Sequence, residues 1–280
     1  MKKLFCFLFL HLLFSASFAQ QAPKLLVRGD DMGYTHSGNE ALITCYQHGI
    51  EKSIEVLVAS PWFPEAVKLL KQNPGIDVGI HLDLTSEWEN IKWRPLSDCP
   101  SLKDSAGYFF PMVFPNENYP GRAISEHRWK IEDVEKEFRA QIELALKNIS
   151  NISHFSAHMG CTNLSPEVRT LTIRLAKEYK IPVDPEWDYK GFIGYDGPNK
   201  TSGEKIESFI RMLNKLEPGK TYIFLDHPGL CNDELKAIYH IGYENVCEDR
   251  QGVTDVFTSD KVKAVIKQKG IQLITYRDLK

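Results

Sequence analysis

The chain has 280 residues, 42% of them hydrophobic and 25% charged, with a formal net charge of −3. That is ordinary globular composition, long enough for one large domain with a substantial core. No basic cluster marks it as a nucleic-acid binder, and its scattered cysteines make neither a disulfide framework nor a zinc knuckle.

Lys2 and Lys3 precede an apolar run from Leu4 to Phe14, and Ser17-Phe18-Ala19 closes it with small residues where a signal peptidase needs them. Met1–Ala19 therefore reads as a secretory signal, leaving residues 20–280 as a single exported domain in the periplasm or the medium. A transmembrane anchor is disfavoured because the run is short and holds His11, and no later stretch is long and apolar enough to span a bilayer. Cleavage takes the charge from −3 to about −5. Cysteines then remain at 45, 99, 161, 231 and 247, with room for one or two bridges in an oxidising compartment. A homodimer is left open.

After the signal, short apolar runs alternate with helical patterns. Leu25–Val27 is a buried strand ending in Asp30-Asp31-Met32-Gly33. Adjacent carboxylates repel unless a cation or donor lies nearby, so this tip is a metal-site candidate; an Asp-rich turn is the plainer alternative. His36–His48 follows as a helix capped by Thr35. Ser53–Ala59 is a strand, Pro64–Gln72 a helix stopped by Asn73-Pro74-Gly75, and Asp77–Leu82 a strand whose tip carries His81, followed by Asp83. Glu87–Ser125 is a long aperiodic stretch with Trp88, Trp93 and many prolines, either a lid of exposed aromatics or a satellite core. Ile131–Ile149 is a clear helix, and Ile152–His158 a strand on which His154, Ser156 and His158 share a face at a period of two. Helix Pro166–Tyr179, with Ser165 as cap, leads to a short strand Ile181–Val183. Helix Glu204–Leu216, strand Tyr222–Leu225 with Asp226-His227-Pro228-Gly229 at its tip, helix Ser259–Lys269 and strand Ile271–Thr275 complete the chain.

This alternation predicts a parallel α/β fold without an internal boundary. The polar residues of interest fall at the carboxyl ends of strands, where a (β/α) barrel assembles its site. An open doubly wound sheet also binds ligands there, but the first turn lacks a Gly-rich phosphate loop, which favours a distorted, TIM-like barrel. One carboxylate and two histidines suit a divalent metal with an open position, and Asp31, His81 and His158 are the chosen set. His154 is an alternative ligand, or a partner that supports one. Each histidine alone would more often be a hydrogen-bonded core residue; their joint placement tips the balance. Asp30 then suits a general base and His227 a general acid, while Asp226-His227-Pro228-Gly229 also reads as plain turn chemistry.

At these residues the chain resembles the YdjC family of carbohydrate deacetylases. The stretches that carry the resemblance are Gly29–Gly33, Val78–Thr85, Ser153–His158 and Asp226–Gly229, with weaker echoes at Pro100–Leu102, Gly107–Phe109 and Glu137–Ile142. They run in order over nearly all of the mature chain. The resemblance implies a distorted (β/α) barrel and one divalent metal on Asp31, His81 and His158; magnesium or zinc is the ion expected there, although mixed Asp/His ligands also take nickel and cobalt. It implies Asp30 as base and His227 as acid, and the reaction expected is hydrolysis of the N-acetyl group of an amino sugar; His154 and Asp226 are taken here as substrate-binding residues. One departure stands out: the family's third motif reads His-x-Asp-x-His-x-His, and this chain has Ser156 for the Asp and Gly160 for the last His. That departure bears on the sugar more than on the reaction and gives some weight to an exported sugar-binding protein on a degenerate scaffold; a metal-dependent hydrolase of another bond is a separate alternative.

Overall fold

The computed structural model describes residues 21–184 and 191–279, so the secretory-signal reading of Met1–Ala19 lies outside the described residues. Strand β1 (Lys24–Met32) is central, with β2 (Ser53–Val56), β3 (Asp77–Leu82) and β4 (Ile152–Ala157) laid down in turn on one side. β5 (Thr221–Asp226) pairs on its other side, and every pairing is parallel. The short β6 (Gln272–Ile274) pairs with the first residues of β1, Lys24 to Leu26. The sheet curls into a half-barrel, as the sequence led us to expect, rather than an open doubly wound sheet.

The alternation of side chains along β1 shows how the two faces differ. Leu25 and Val27 point outward into an apolar cluster with Phe209 and Leu213 of α5 (Ser202–Asn214), Val253 and Phe257 of α7 (Val246–Thr258), and Val262 and Ile266 of α8 (Asp260–Lys269). Leu26, Arg28 and Asp30 point inward. Leu26 meets Ile223, Ile274 and Tyr276, and the rest of the concave face is polar. The other outer cluster packs α1 (His36–His48), α2 (Phe63–Gln72), α3 (Ile131–Asn148) and α4 (Pro166–Tyr179) over β2 and β3. Local chemistry agrees with this packing: Thr35 accepts from Gly38 N and Ser165 from Val168 N, each capping its helix.

Several boundaries moved. The second strand stops at Val56, and the chain turns just beyond it, Ser60 N donating to Leu57 O at 3.4 Å. Ile181–Val183 contributes only a single bridge, Val183 to Phe155. The sequence reading left α7 and the one-turn α6 (Asp233–Lys236) unassigned. Glu87–Ser125 holds two short 3-10 turns, yet Trp88, Trp93, Leu102, Phe109 and Phe110 join the main core, while Met112, Tyr119 and Ala123 form a small one of their own. Packing therefore favours the satellite core over a lid of exposed aromatics. Cys231 and Cys247 form a disulfide; Cys45, Cys99 and Cys161 are buried thiols. No helix among the described residues is long and apolar enough to cross a membrane.

Candidate active site

In a regular strand Asp30 and Asp31 would face opposite sides of the sheet. Here the register between β1 and β2 shifts between Gly29 and Met32, and Asp31 has φ of 72°, a left-handed conformation uncommon outside glycine. With this bulge both carboxylates approach His81 at the end of β3. His81 Nε2 lies 3.9 Å from Asp30 Oδ2 and 3.7 Å from Asp31 Oδ1. His158, just beyond β4, puts Nδ1 3.1 Å from the same Asp31 oxygen. One ligand atom from each of Asp31, His81 and His158 lies within 4.8 Å of the others, and all three residues are buried.

The far nitrogen of each histidine is held. His81 Nδ1 meets Ser156 Oγ at 2.7 Å, and His158 Nε2 meets Glu87 Oε2 at 3.1 Å. Fixing the outer nitrogen is how a protein orients an imidazole toward a metal. The Asp31 carboxylate is divided in the same way. Arg250 donates from an Nη to Oδ2 at 2.9 Å, while the buried Oδ1, which faces the two histidines, makes no hydrogen bond. An orphaned buried carboxylate oxygen beside two imidazoles fits a divalent cation, and this donor set is one that magnesium or zinc accepts.

The electrostatics agree. Burial pushes the Asp31 carboxyl up, but His158, His227 and Arg250 hold it well below the usual carboxylate range. Burial lowers His81 to about 4 against the pull of Asp30, so it stands as a neutral imidazole able to ligate. For His158 burial is outweighed by Glu87 and Asp31, which raise it well above the usual range. The site thus favours positive charge where a cation would sit.

Asp30 has a different partner. Arg28, two residues back on the same strand face, grips both oxygens, Nε to Oδ1 at 2.6 Å and an Nη to Oδ2 at 2.7 Å. His227, beyond β5, approaches Asp31 from the other oxygen, its Nε2 3.8 Å from Oδ2. Its side chain is 35% exposed, the most open of the group. Its Nδ1 lies 3.5 Å from Asp226 Oδ1, and Asp31 and Asp226 outweigh burial to raise its pKa. Asp226 in turn accepts from Tyr195 OH at 2.9 Å. Asp30, Asp31, His81, His158 and His227 therefore come together, with Asp226 behind His227. His154 sits deeper: its Nε2 meets Glu55 at 2.8 Å and its ring stacks on Tyr276 at 3.6 Å. Asp83, next to this set in sequence, is turned to Trp93, whose Nε1 donates at 2.7 Å, and burial raises it to about 6.

Sequence reasoning missed Arg28, Glu55, Glu87 and Arg250. Arg28 shares the strand phase of Asp30, and Val246, Arg250, Val253 and Phe257 recur at helical spacing, so both arginines left a trace. Glu87 lies in the aperiodic stretch, and Glu55 stands between Ile54 and Val56 in an apolar run that gives no hint of a buried charge.

The model of the YdjC-like protein family matches residues 24–268. The chain belongs to the YdjC-like family. Among family relatives, carbohydrate deacetylase 1 of Listeria innocua is 26% identical over 263 residues, covering 91% of this chain and all of that protein. A carbohydrate deacetylase of Geobacillus stearothermophilus is 26% identical over 265 residues, covering 90% and 96%. A crystal structure of a protein from Enterococcus faecalis V583 superposes with a TM-score of 0.73 at 23% identity, covering 92% of this chain and 99% of that one. It shares the fold.

Proposed function

We propose that this YdjC-like protein is a metal-dependent carbohydrate deacetylase that removes N-acetyl groups from amino sugars or their oligosaccharides. One observation carries the reading. Two adjacent carboxylates are brought to one place but treated differently: Asp31 turns Oδ1 toward His81 and His158, whose Nδ1 lies 3.1 Å from it, and Asp30 is gripped by Arg28 beside it. The relatives named carbohydrate deacetylase support the substrate class. Asp31, His81 and His158 would hold the metal, which when bound polarises a carbonyl and lowers the pKa of an attacking water.

The remaining steps rest on side chains. Asp30, oriented by Arg28, accepts a proton as the water oxygen bonds to the acetamide carbon. The carbon–nitrogen bond then breaks, and His227, as imidazolium, gives its proton to the departing nitrogen. Acetate and the free amino sugar leave. Asp226 steadies the imidazolium through Nδ1, and the exposure of His227 suits a group that must reach substrate.

The test is acetate release from a panel of N-acetylated mono- and oligosaccharides, with and without chelation and metal add-back. Metal-dependent release is expected. No release from any sugar, by protein holding stoichiometric metal, would overturn the reading in favour of an exported sugar-binding protein. Export is part of the proposal, since the Met1–Ala19 pattern and the Cys231–Cys247 bridge both suit an oxidising compartment. Amino-terminal sequencing of the mature protein should begin at Gln20; retention of Met1 would overturn export.

A further inference from the structure

Beneath the candidate metal site the concave face holds a second set of buried groups. Glu55 on β2 is fully buried in the interior of the half-barrel. One of its oxygens meets His154 Nε2 at 2.8 Å, and the other accepts a short hydrogen bond from Ser156 Oγ. Ser156 stands opposite His81 in the β3–β4 register, and its oxygen is 2.7 Å from His81 Nδ1. Space for this arrangement is reserved in the sequence: a Cβ at Gly79 on β3 would lie 1.9 Å from Glu55 Oε2 and 2.6 Å from His154 Nε2. The glycine keeps clear the volume in which the two side chains meet.

A serine hydroxyl has one proton to give. If that proton goes to Glu55, the oxygen can only accept from the imidazole, so His81 must carry its hydrogen on Nδ1. The lone pair on Nε2 then faces Asp30 and Asp31. We propose that Glu55 is a positioning residue for the metal site, acting through the Ser156 hydroxyl to fix the tautomer and orientation of His81. The carboxylate that steadies this ligand comes from a neighbouring strand, two hydrogen bonds away, and the serine passes its influence on. His158 is steadied directly by Glu87, so the two histidines reach the same end by different routes.

The inference rests on reading Asp31, His81 and His158 as a metal site. Its test is cobalt(II) binding to the mature chain, followed by chelator competition and by the visible absorption of the bound ion, with thermal melting of the metal-free protein alongside. Wild type should bind; failure there, matched by His81→Ala, would sink the metal-site reading itself. Given wild-type binding, Glu55→Gln and Ser156→Ala should each weaken cobalt about 10- to 100-fold, the usual cost of removing an outer partner of a ligating histidine. The two losses should not compound in the double variant, because both cut one relay. Moving the carboxylate into direct reach of Nδ1, as Glu55→Gln with Ser156→Asp, should restore affinity to within a few-fold and return the wild-type spectrum. A role confined to packing would show instead as a lowered melting temperature with affinity and spectrum unchanged. The proposal is overturned if Glu55→Gln binds cobalt like wild type, or if the combined variant stays as weak as Glu55→Gln alone.

Discussion

The mouth and the floor of the half-barrel are both lined by buried charge, yet they are wired in opposite ways. On the floor, Arg28 binds Asp30 at two points, Asp184 through a short contact and Tyr276 at 2.9 Å, while Glu55 is shared by His154 and Ser156. At the mouth, Asp31 Oδ1 is left without a hydrogen bond, and the Nε and an Nη of Arg250 are likewise buried without one, the cation lying against the rings of Tyr34 and Trp88. A saturated network resists change and supplies a rigid frame; one with spare donors and acceptors is held ready for something to complete it. The difference marks where a cation would complete the site, with Asp30 on the border, held by Arg28 and 3.9 Å from His81. It also suits the two neighbouring aspartates to the unlike roles proposed for them, since each has its own arginine.

The contrast can be broken experimentally. The largest effect is expected at the mouth from His81→Ala, which should abolish both metal retention and turnover while the protein stays folded, checked by metal analysis and circular dichroism. Asp30→Asn should lower kcat by about 10²- to 10⁴-fold, the range of a general base, with metal content unchanged. Loss of metal in that variant would reverse the two aspartates. On the floor the expected loss is stability. Arg28→Met leaves buried carboxylates uncompensated and should cost about 3–5 kcal/mol in denaturant melts. Between the regions, Cys231–Cys247 ties the His227 loop to the start of α7, and Gly229 N donates to Arg250 O at 3.1 Å. Replacing both cysteines by serine should cost about 3 kcal/mol, the cross-link closing a loop of separation 16.

The smallest effect sharpens the proton assignments. His227 has a raised pKa, so its imidazolium form, needed as acid, is present at low pH and is lost as pH rises through a value above the usual 6.5. The alkaline limb of kcat/KM should therefore fall above that point. Asp226→Asn removes one of the groups that raise it and should move the limb down by about one unit. An unmoved limb would mean that another group supplies the proton.

Much of this was legible in the sequence, for a physical reason. Asp30-Asp31, His81, His158 and His227 each follow an apolar run, and parallel strands carry their ends to one side of a sheet, so convergence follows from topology alone. The hidden parts were of two kinds. Arg250, Glu87 and Glu55 reach the site from distant points of the chain, and a lone charge in an apolar or aperiodic stretch does not announce its partner. The left-handed turn at Asp31 was also hidden, because nothing in Gly29-Asp30-Asp31-Met32 says which residue takes the bulge. His154 has the strand phase the sequence indicates but lies deeper than His158. Its two-residue offset from Ser156 placed it on the correct face and below the mouth, where Glu55 and Tyr276 claim it.

The long stretch from Glu87 to Ser125 bears on how this protein could be given a new specificity. Trp88, Trp93, Phe109 and Tyr119 are anchored in its packing, and Glu87 at its start holds the Nε2 of His158. Exchanging the segment wholesale with a relative's would remove core and site together. Variation is better confined to the side chains it and its neighbours leave in solvent, such as Phe114, Met159 and Ile241. A library restricted to these positions would vary exposed surface while leaving the segment's packed side chains in place.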